Sequence, residues 1–221
     1  TEKLSDFDIE NNDSTVSRSD LEKSIEEIDN DAEIIEIESV GTKVAEGTVR
    51  NSIIAVSVAS FFVMLYVLYA FRRLEKSYRF AFSAVLTLVH DVVLVTGIYA
   101  LLGHIFGLQV NSVFIVALLT VIGYSVNDTI VIFDRIRENQ IKFPDNKYSS
   151  NINISINESI IRSLGTSITT LLVLFSMLIL GGSTLREFII VLILGVIVGT
   201  YSSIFIASQF LIIWEEGIKK K

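Results

Sequence analysis

The chain has 221 residues, of which 51% are hydrophobic, one is proline and none is cysteine. A soluble domain of this length is rarely so apolar, and without cysteine neither a disulfide framework nor a thiolate metal site can form. The formal net charge of −7 is spread unevenly, because about fifteen of the 25 acidic residues precede Arg50. The sequence has no basic stripe, so nucleic acid is not an expected partner. Composition therefore predicts a membrane protein with a separate acidic amino-terminal part.

The polar residues 1–48 are predicted to form a small exported α+β piece. Residues 17–28 have the pattern of a capped amphipathic helix, with Leu21, Ile25 and Ile28 on one face. The β-branched run at 32–40 predicts a strand. One helix and one or two strands cannot close a core alone. We therefore expect this piece to pack against a part that is not in this sequence.

Five apolar segments follow, and each is long enough to cross a bilayer as a helix. A hydrocarbon core of about 30 Å requires about 20 helical residues at about 1.5 Å each. The predicted architecture is an α-helical polytopic membrane bundle at 49–216 with a short basic tail at 217–221. The predicted spans are 53–71, 80–102, 113–133, 160–180 and 188–214.

Connections rich in Lys and Arg alternate with connections that have few, and this alternation predicts the orientation of the bundle. Positive charge marks the cytoplasmic side, so the first and third connections and the carboxy-terminus are expected there. The amino-terminal piece is then exported, and a folded exported piece without a signal sequence implies a further spanning helix upstream. The basic residues are Arg72, Arg73, Lys76 and Arg79 after the first span, Arg135, Arg137, Lys142 and Lys147 after the third, and Lys219, Lys220 and Lys221 at the end.

Asp128 lies inside the third apolar segment and is the leading candidate for a functional residue. A carboxylate at such depth costs about 2.5–3.5 kcal/mol on insertion scales, so an intramembrane acid indicates function by default. The alternative is a permanently paired carboxylate that only locks helices together. Asn127 flanks it, and Tyr124 lies one turn earlier on the same face. Asp134 and Arg135 follow and are expected at the membrane interface, where they could support a relay or packing.

Three further polar residues accompany Asp128 in the apolar segments. His90 and Asp91 are adjacent in the second segment and point about 100° apart, so only one can face a given neighbour. Their role is either packing or a proton relay, because imidazole exchanges protons near neutral pH. Arg162 lies at the cytoplasmic end of the fourth segment, where an arginine commonly snorkels to the interface. Sequence spacing leaves open whether Arg162 contacts Asp128.

Gly195 and Gly199 are spaced four residues apart, which suits close helix packing. The sequence has no nucleophile–base triad, no phosphate-binding loop and no metal-ligand cluster. We therefore expect a protein that is not an enzyme and holds no cofactor, apart from a transported proton or sodium ion.

The stretch 122–139, which contains Asn127, Asp128 and Asp134, closely resembles the signature of the SecF family of protein-export membrane subunits. Matching motifs recur in the family's order, and the resemblance covers roughly 39–214. They lie at 88–91, 158–163, 166–170 and 195–201.

This resemblance implies a member of the resistance–nodulation–division superfamily in the bacterial cytoplasmic (inner) membrane. Such a subunit has six membrane helices, pairs with SecD, and associates with the SecYEG channel and further accessory subunits to help export unfolded polypeptides with the ion gradient. Asp128 and Arg162 match the proposed proton-coupling residues of the family, whereas Asp91 and Asp134 match acids with structural or accessory roles. The chain departs from the family in having five predicted helices and little of the exported domain.

Two alternatives remain at the level of sequence. One is a small-molecule efflux transporter of the same superfamily, which would carry a large exported domain. The other is a passive scaffold of the translocase, for which Asp128→Asn would be silent while changes at Gly195 or Gly199 would dissociate the complex.

Overall fold

Helices make up nearly all of the computed structural model, which describes residues 42–72, 74, 76–108 and 110–219. The predicted helix at 17–28, the predicted strand at 32–40 and the last two residues of the basic tail lie outside the described residues. The elements are α1 (Thr42–Ala70), α2 (Ser77–Phe106), α3 (Ser112–Lys142), α4 (Tyr148–Leu180), α5 (Ser183–Ser202), a π turn (Ser203–Ala207) and α6 (Ser208–Lys219).

Five stretches within the described residues are long and apolar enough to cross a membrane, which confirms the predicted α-helical architecture. The fifth combines α5, the π turn and most of α6. These stretches are Val49–Ala70, Ser77–Phe106, Ser112–Lys142, Tyr148–Leu180 and Leu185–Glu215.

The fourth helix is longer than predicted, since it begins at Tyr148 and the predicted span begins at 160. Its first three turns are polar, so a search for apolar runs does not detect them. They nevertheless place one buried stripe against the rest of the bundle, formed by Asn151, Ile152, Ser155 and Ser159. Spacings of three and four residues keep this stripe on a single helix face.

Helix α1 begins at Thr42, before the predicted start of the bundle at 49, and its apolar stretch begins at Val49. The fifth segment is interrupted by a π turn at Ser203–Ala207. A π turn widens the helix locally and frees backbone groups, and Ser83 of α2 donates a hydrogen bond to the Ala207 carbonyl oxygen at 2.7 Å.

Helix α3 lies at the centre and contacts α1, α2, α4, α5 and the π turn. Its closest approach is to α5, where Gly195 and Gly199 face it. A Cβ atom built on Gly195 would lie 2.0 Å from a methyl carbon of Val121, and one on Gly199 would lie 3.0 Å from the Ser125 Cβ. Small residues allow helix backbones to approach closely in membranes. Both glycines therefore serve packing within this chain.

Basic residues of the first and third connections lie at one end of the bundle, called the basic end below. An aromatic cluster holds the helices together there. The Phe71 and Phe80 rings stack at 5.2 Å, and Phe133 meets Phe80 edge-on at 5.3 Å. Such pairs contribute about 0.5–1.5 kcal/mol beyond their buried area. The cluster joins the end of α1 to α2 and α3.

A buried ion pair links α2 to α6 at the same end. The Arg79 guanidinium pairs with the Glu215 carboxylate, and Lys76 Nζ lies 3.5 Å from the other Glu215 oxygen. Both Arg79 and Glu215 side chains are largely shielded from solvent. Arg79 therefore has a role in helix packing and also adds to the positive charge at the basic end.

We expect Gly195→Ala to destabilise the bundle by about 1–3 kcal/mol, because the added methyl group overpacks against the stiff Val121 side chain. The measurement is the apparent melting temperature in detergent. Gly97→Ala is the matched control, since nothing lies within 4 Å of a Cβ at that position. Adding Val121→Ala should recover part of the loss, and equal melting temperatures for the Gly195 and Gly97 variants would contradict this packing.

Candidate functional site

The Asp128 carboxyl lies between α3 and α4, and the residue is only 8% exposed. Its Oδ1 accepts a hydrogen bond of 2.6 Å from the Ser163 hydroxyl of α4. Its Oδ2 is buried and has no hydrogen-bond partner among the described residues. A buried polar atom without a partner is costly, so Oδ2 is the oxygen of this carboxyl that is open to a further contact.

Hydroxyl groups surround the carboxyl on the neighbouring turns. The Tyr124 hydroxyl lies 3.0 Å from Ser167 Oγ, which lies 2.5 Å from Thr200 Oγ1. Thr129 Oγ1 lies 2.8 Å from Ser203 Oγ in the π turn. These contacts connect α3 to α4, α5 and the π turn with groups that can donate or accept.

Ser163 and Ser167 are not among the predicted site residues, although the sequence contains an indication of them. Buried small polar residues recur every four positions along α4. This spacing places a polar stripe on one helix face, and that face is turned to α3. The stripe consists of Asn151, Ser155, Ser159, Ser163 and Ser167.

The structure does not bring Arg162 to Asp128. Arg162 is exposed and makes no ion pair or hydrogen bond within the described part of the chain. It precedes Ser163 by one residue, so the two side chains point about 100° apart. Arg162 lines a cleft of about 500 Å³ at the basic end, and this cleft reaches Ser159, one turn from Ser163.

Exposed ion pairs occupy the walls of this cleft. Arg137 pairs with Asp134 at 2.7 Å, and Arg135 Nε with Glu158 at 2.7 Å. Asn139 Nδ2 donates to the same Glu158 carboxylate at 2.8 Å. Solvent screens such pairs, and each contributes about 0–1 kcal/mol. Asp134 and Arg135 therefore lie in a solvated region, and neither contacts Asp128.

Asp91 forms a second buried site, which differs from Asp128 in having both oxygens bonded. Its Oδ2 accepts hydrogen bonds from Ser125 at 2.5 Å and Ser202 at 2.7 Å, and Oδ1 lies 3.1 Å from His90 Nδ1. Asp91 is 2% exposed. It is the member of the adjacent pair that meets the Asp128 helix, and its bonds join α2, α3 and α5.

His90, which contacts Asp91, and Asn127, which precedes Asp128, are both more exposed than these acids. His90 is partly exposed and lines a shallow groove on the outer side of α2. Asn127 is exposed and has no hydrogen bond to another described residue. No group of three His, Cys, Asp or Glu side chains that could hold a metal ion occurs within residues 42–72, 74, 76–108 and 110–219.

Comparison with known proteins shows which family this chain is similar to. A family model described as "Protein export membrane protein SecD/SecF, C-terminal" matches residues 20–217. The protein translocase subunit SecF of Thermobaculum terrenum is 42% identical over 177 residues, which are 80% of this chain and 56% of the relative. The protein translocase subunit SecDF of Thermus thermophilus is 41% identical over 188 residues, which are 85% of this chain and 24% of that protein.

The fold has a counterpart among solved structures. The crystal structure of SecDF in a super-membrane-facing form matches with a TM-score of 0.76 and 35% identity, covering 94% of this chain and 27% of that chain. The chain thus spans less than two thirds of the length of these curated relatives.

We expect Asp91→Ala to lower stability by about 3 kcal/mol, because it removes hydrogen bonds to a charged group that join three helices. Thermal unfolding in detergent measures the effect. Asp134→Ala is the control and should change stability by less than about 1 kcal/mol, since its ion pair with Arg137 is exposed. If both variants melt at the same temperature, the Asp91 contacts do not hold the helices together.

Proposed function

The chain belongs to the SecD/SecF C-terminal family of protein-export membrane proteins, and we propose that it serves as a SecF-like auxiliary subunit of the Sec translocase. It is a multi-pass membrane protein. In this proposal it assists the export of unfolded polypeptides across the cytoplasmic membrane, and the proton or sodium gradient supplies the energy. It performs no covalent chemistry on its clients.

The observation that carries the proposal is the Asp128 carboxyl, buried between helices with one oxygen bonded and the other open. Charging such a group costs far more than it does in water. Moving one charge across the membrane yields about 2.3 kcal/mol per 100 mV, which is enough to shift a conformational equilibrium more than tenfold. Uptake and release of an ion at Oδ2 would therefore change how the helices pack.

Arg162 is assigned the role of tuning or releasing the ion. It lines the cleft that reaches Ser159, one turn from the Ser163 that bonds Asp128, and in this proposal the ion passes between the cleft and Asp128. If the two groups approached, the positive charge of Arg162 would favour the ionised carboxylate and so promote release of the bound cation. Such an approach requires α4 to rotate or shift relative to α3. His90 and Asp91 support the path by fixing α2 against α3.

The proposed partners of this chain rest on the names of its relatives, and its proposed orientation rests on the positions of its basic residues. The relatives are named as SecF and SecDF translocase subunits, so SecD, the SecYEG channel and further accessory subunits are the proposed partners. The basic end of the bundle is assigned to the cytoplasm of a bacterial cell, together with the carboxy-terminus. The amino-terminal piece then lies on the exported side.

The packing of Gly195 and Gly199 bears on the scaffold alternative. That alternative places the two glycines at an interface with another subunit, but both face α3 of the same chain. A change there would disturb this chain's own fold before any contact with a partner. The two glycines therefore give no specific support to the scaffold alternative.

We expect Asp128→Asn to leave membrane insertion intact and to abolish gradient-dependent export, because an amide keeps the shape of the side chain but cannot exchange a proton. Export of a secreted client into inverted vesicles, with and without an imposed gradient, is the measurement. Asp145→Asn, an exposed acid near the basic end, is the matched control and should be indistinguishable from the unmodified protein.

Full gradient-dependent export by the Asp128→Asn variant would refute the coupling role and leave the scaffold. Dye efflux from proteoliposomes that lack SecD would instead favour a small-molecule transporter.

A further inference from the structure

The contact between Asp128 and Ser163, at 2.6 Å, is one of several polar contacts that join α3 to α4. On the adjacent turn of each helix, the Tyr124 and Ser167 hydroxyls lie 3.0 Å apart. Only the Asp128 contact includes a buried carboxyl group, whose charge changes when it takes up a proton.

Small polar residues dominate the buried face of α4 that carries Ser163. The opposite face of this helix is exposed. Hydrogen bonds between membrane helices contribute on average only about 0.6 kcal/mol. Apolar residues of α4 such as Ile152 and Leu174 pack into the core on either side of this polar segment. A change in the strength of the hydrogen bond at Ser163 can therefore shift how the segment between them packs.

We propose that Ser163 is a positioning residue for Asp128, and that their hydrogen bond couples the charge of the carboxyl to the packing of α4 on α3. By donating to Oδ1, the Ser163 hydroxyl orients the carboxyl so that Oδ2 is the atom left for the ion. A hydroxyl bonds a carboxylate roughly twice as strongly as a neutral acceptor. The contact is therefore tight when Asp128 is ionised and weaker when it is protonated.

Few other charges face Asp128 from the helices packed around it. On α4, Glu158 is bonded to Arg135 and Asn139, and Arg162 is exposed in the cleft. On α2, Asp91 is bonded on both oxygens and its neighbour is His90. Residues 188–214, which include most of α5 and the π turn, contain no Asp, Glu, Lys, Arg or His. Near the carboxyl, Ser163 is thus the contact that depends most directly on its charge.

This inference rests on the proposed function, and the export assay provides its first test. Ser163→Ala should reduce gradient-driven export about tenfold at a fixed gradient and require a larger gradient for half-maximal rate, while export without a gradient is unchanged. Ser163→Thr retains the hydroxyl and should restore the rate to within about twofold. Ser155→Ala is the matched control, because Ser155 is buried on the same face but bonds Asn139.

A double-variant cycle on melting temperature tests the contact independently of export. If Ser163 acts through Asp128, then Asp128→Asn combined with Ser163→Ala should differ from the sum of the two single changes, whereas Asp128→Asn with Ser155→Ala should be additive. Both measurements use the full-length protein in its membrane complex.

Additive melting shifts for Asp128→Asn and Ser163→Ala would overturn the inference, as would equal export defects in the Ser163→Ala and Ser155→Ala variants when Asp128→Asn abolishes gradient-dependent export. A non-additive pair in a protein whose Asp128→Asn variant exports normally would uphold the positioning contact and refute the proposed function.

Discussion

The cost of keeping a carboxylate among apolar helices is the constraint on which this structure depends. Each buried acid must either be bonded by its neighbours or carry a proton. Asp91 takes the first course, since serines from two helices and a histidine bond both of its oxygens. Asp128 is bonded on one oxygen only. Two buried acids thus differ in their hydrogen bonding because their neighbours differ.

Helix α3 packs closely against α5 on one side and makes mainly polar contacts near Asp128 with α4 on the other. On the α5 side, Gly195 and Gly199 bring the backbones close enough that an added methyl group would clash with Val121. Tight packing of this kind resists displacement. On the α4 side, hydroxyl and amide groups make many of the contacts beside apolar residues such as Ile152, and each hydrogen bond contributes little alone. A charge change at Asp128 would therefore be expressed mainly in the position of α4.

The position of Arg162 is consistent with this arrangement. Its guanidinium lies in a solvated cleft at the basic end, where its charge costs little, and not beside the carboxyl it is proposed to serve. Ser163 is the next residue in the chain, so a rotation of α4 would move both side chains together. The Ser163 hydroxyl and the Arg162 guanidinium are thus both on α4 and would move with it.

The amino-acid sequence by itself determined the membrane bundle, the five apolar spans and the depth of Asp128. Long apolar runs have one stable form in lipid, the helix, because every backbone group must be bonded internally. The predicted fourth span omits the first turns of α4, because these turns are polar and their buried stripe becomes visible only when α3 lies opposite. Arg79 likewise contributes to the basic end, but only the fold pairs it with Glu215 of α6.

Only the tertiary structure decided which neighbours each acid has. Sequence spacing within one helix can place Tyr124 one turn from Asp128, but it cannot reveal that Ser163, on another helix, supplies the hydrogen bond. Nor could it decide that Arg162 stays in the cleft. Contacts between helices depend on their relative rotation and distance, which are set by packing across the whole bundle and are not encoded in the periodicity of any one segment.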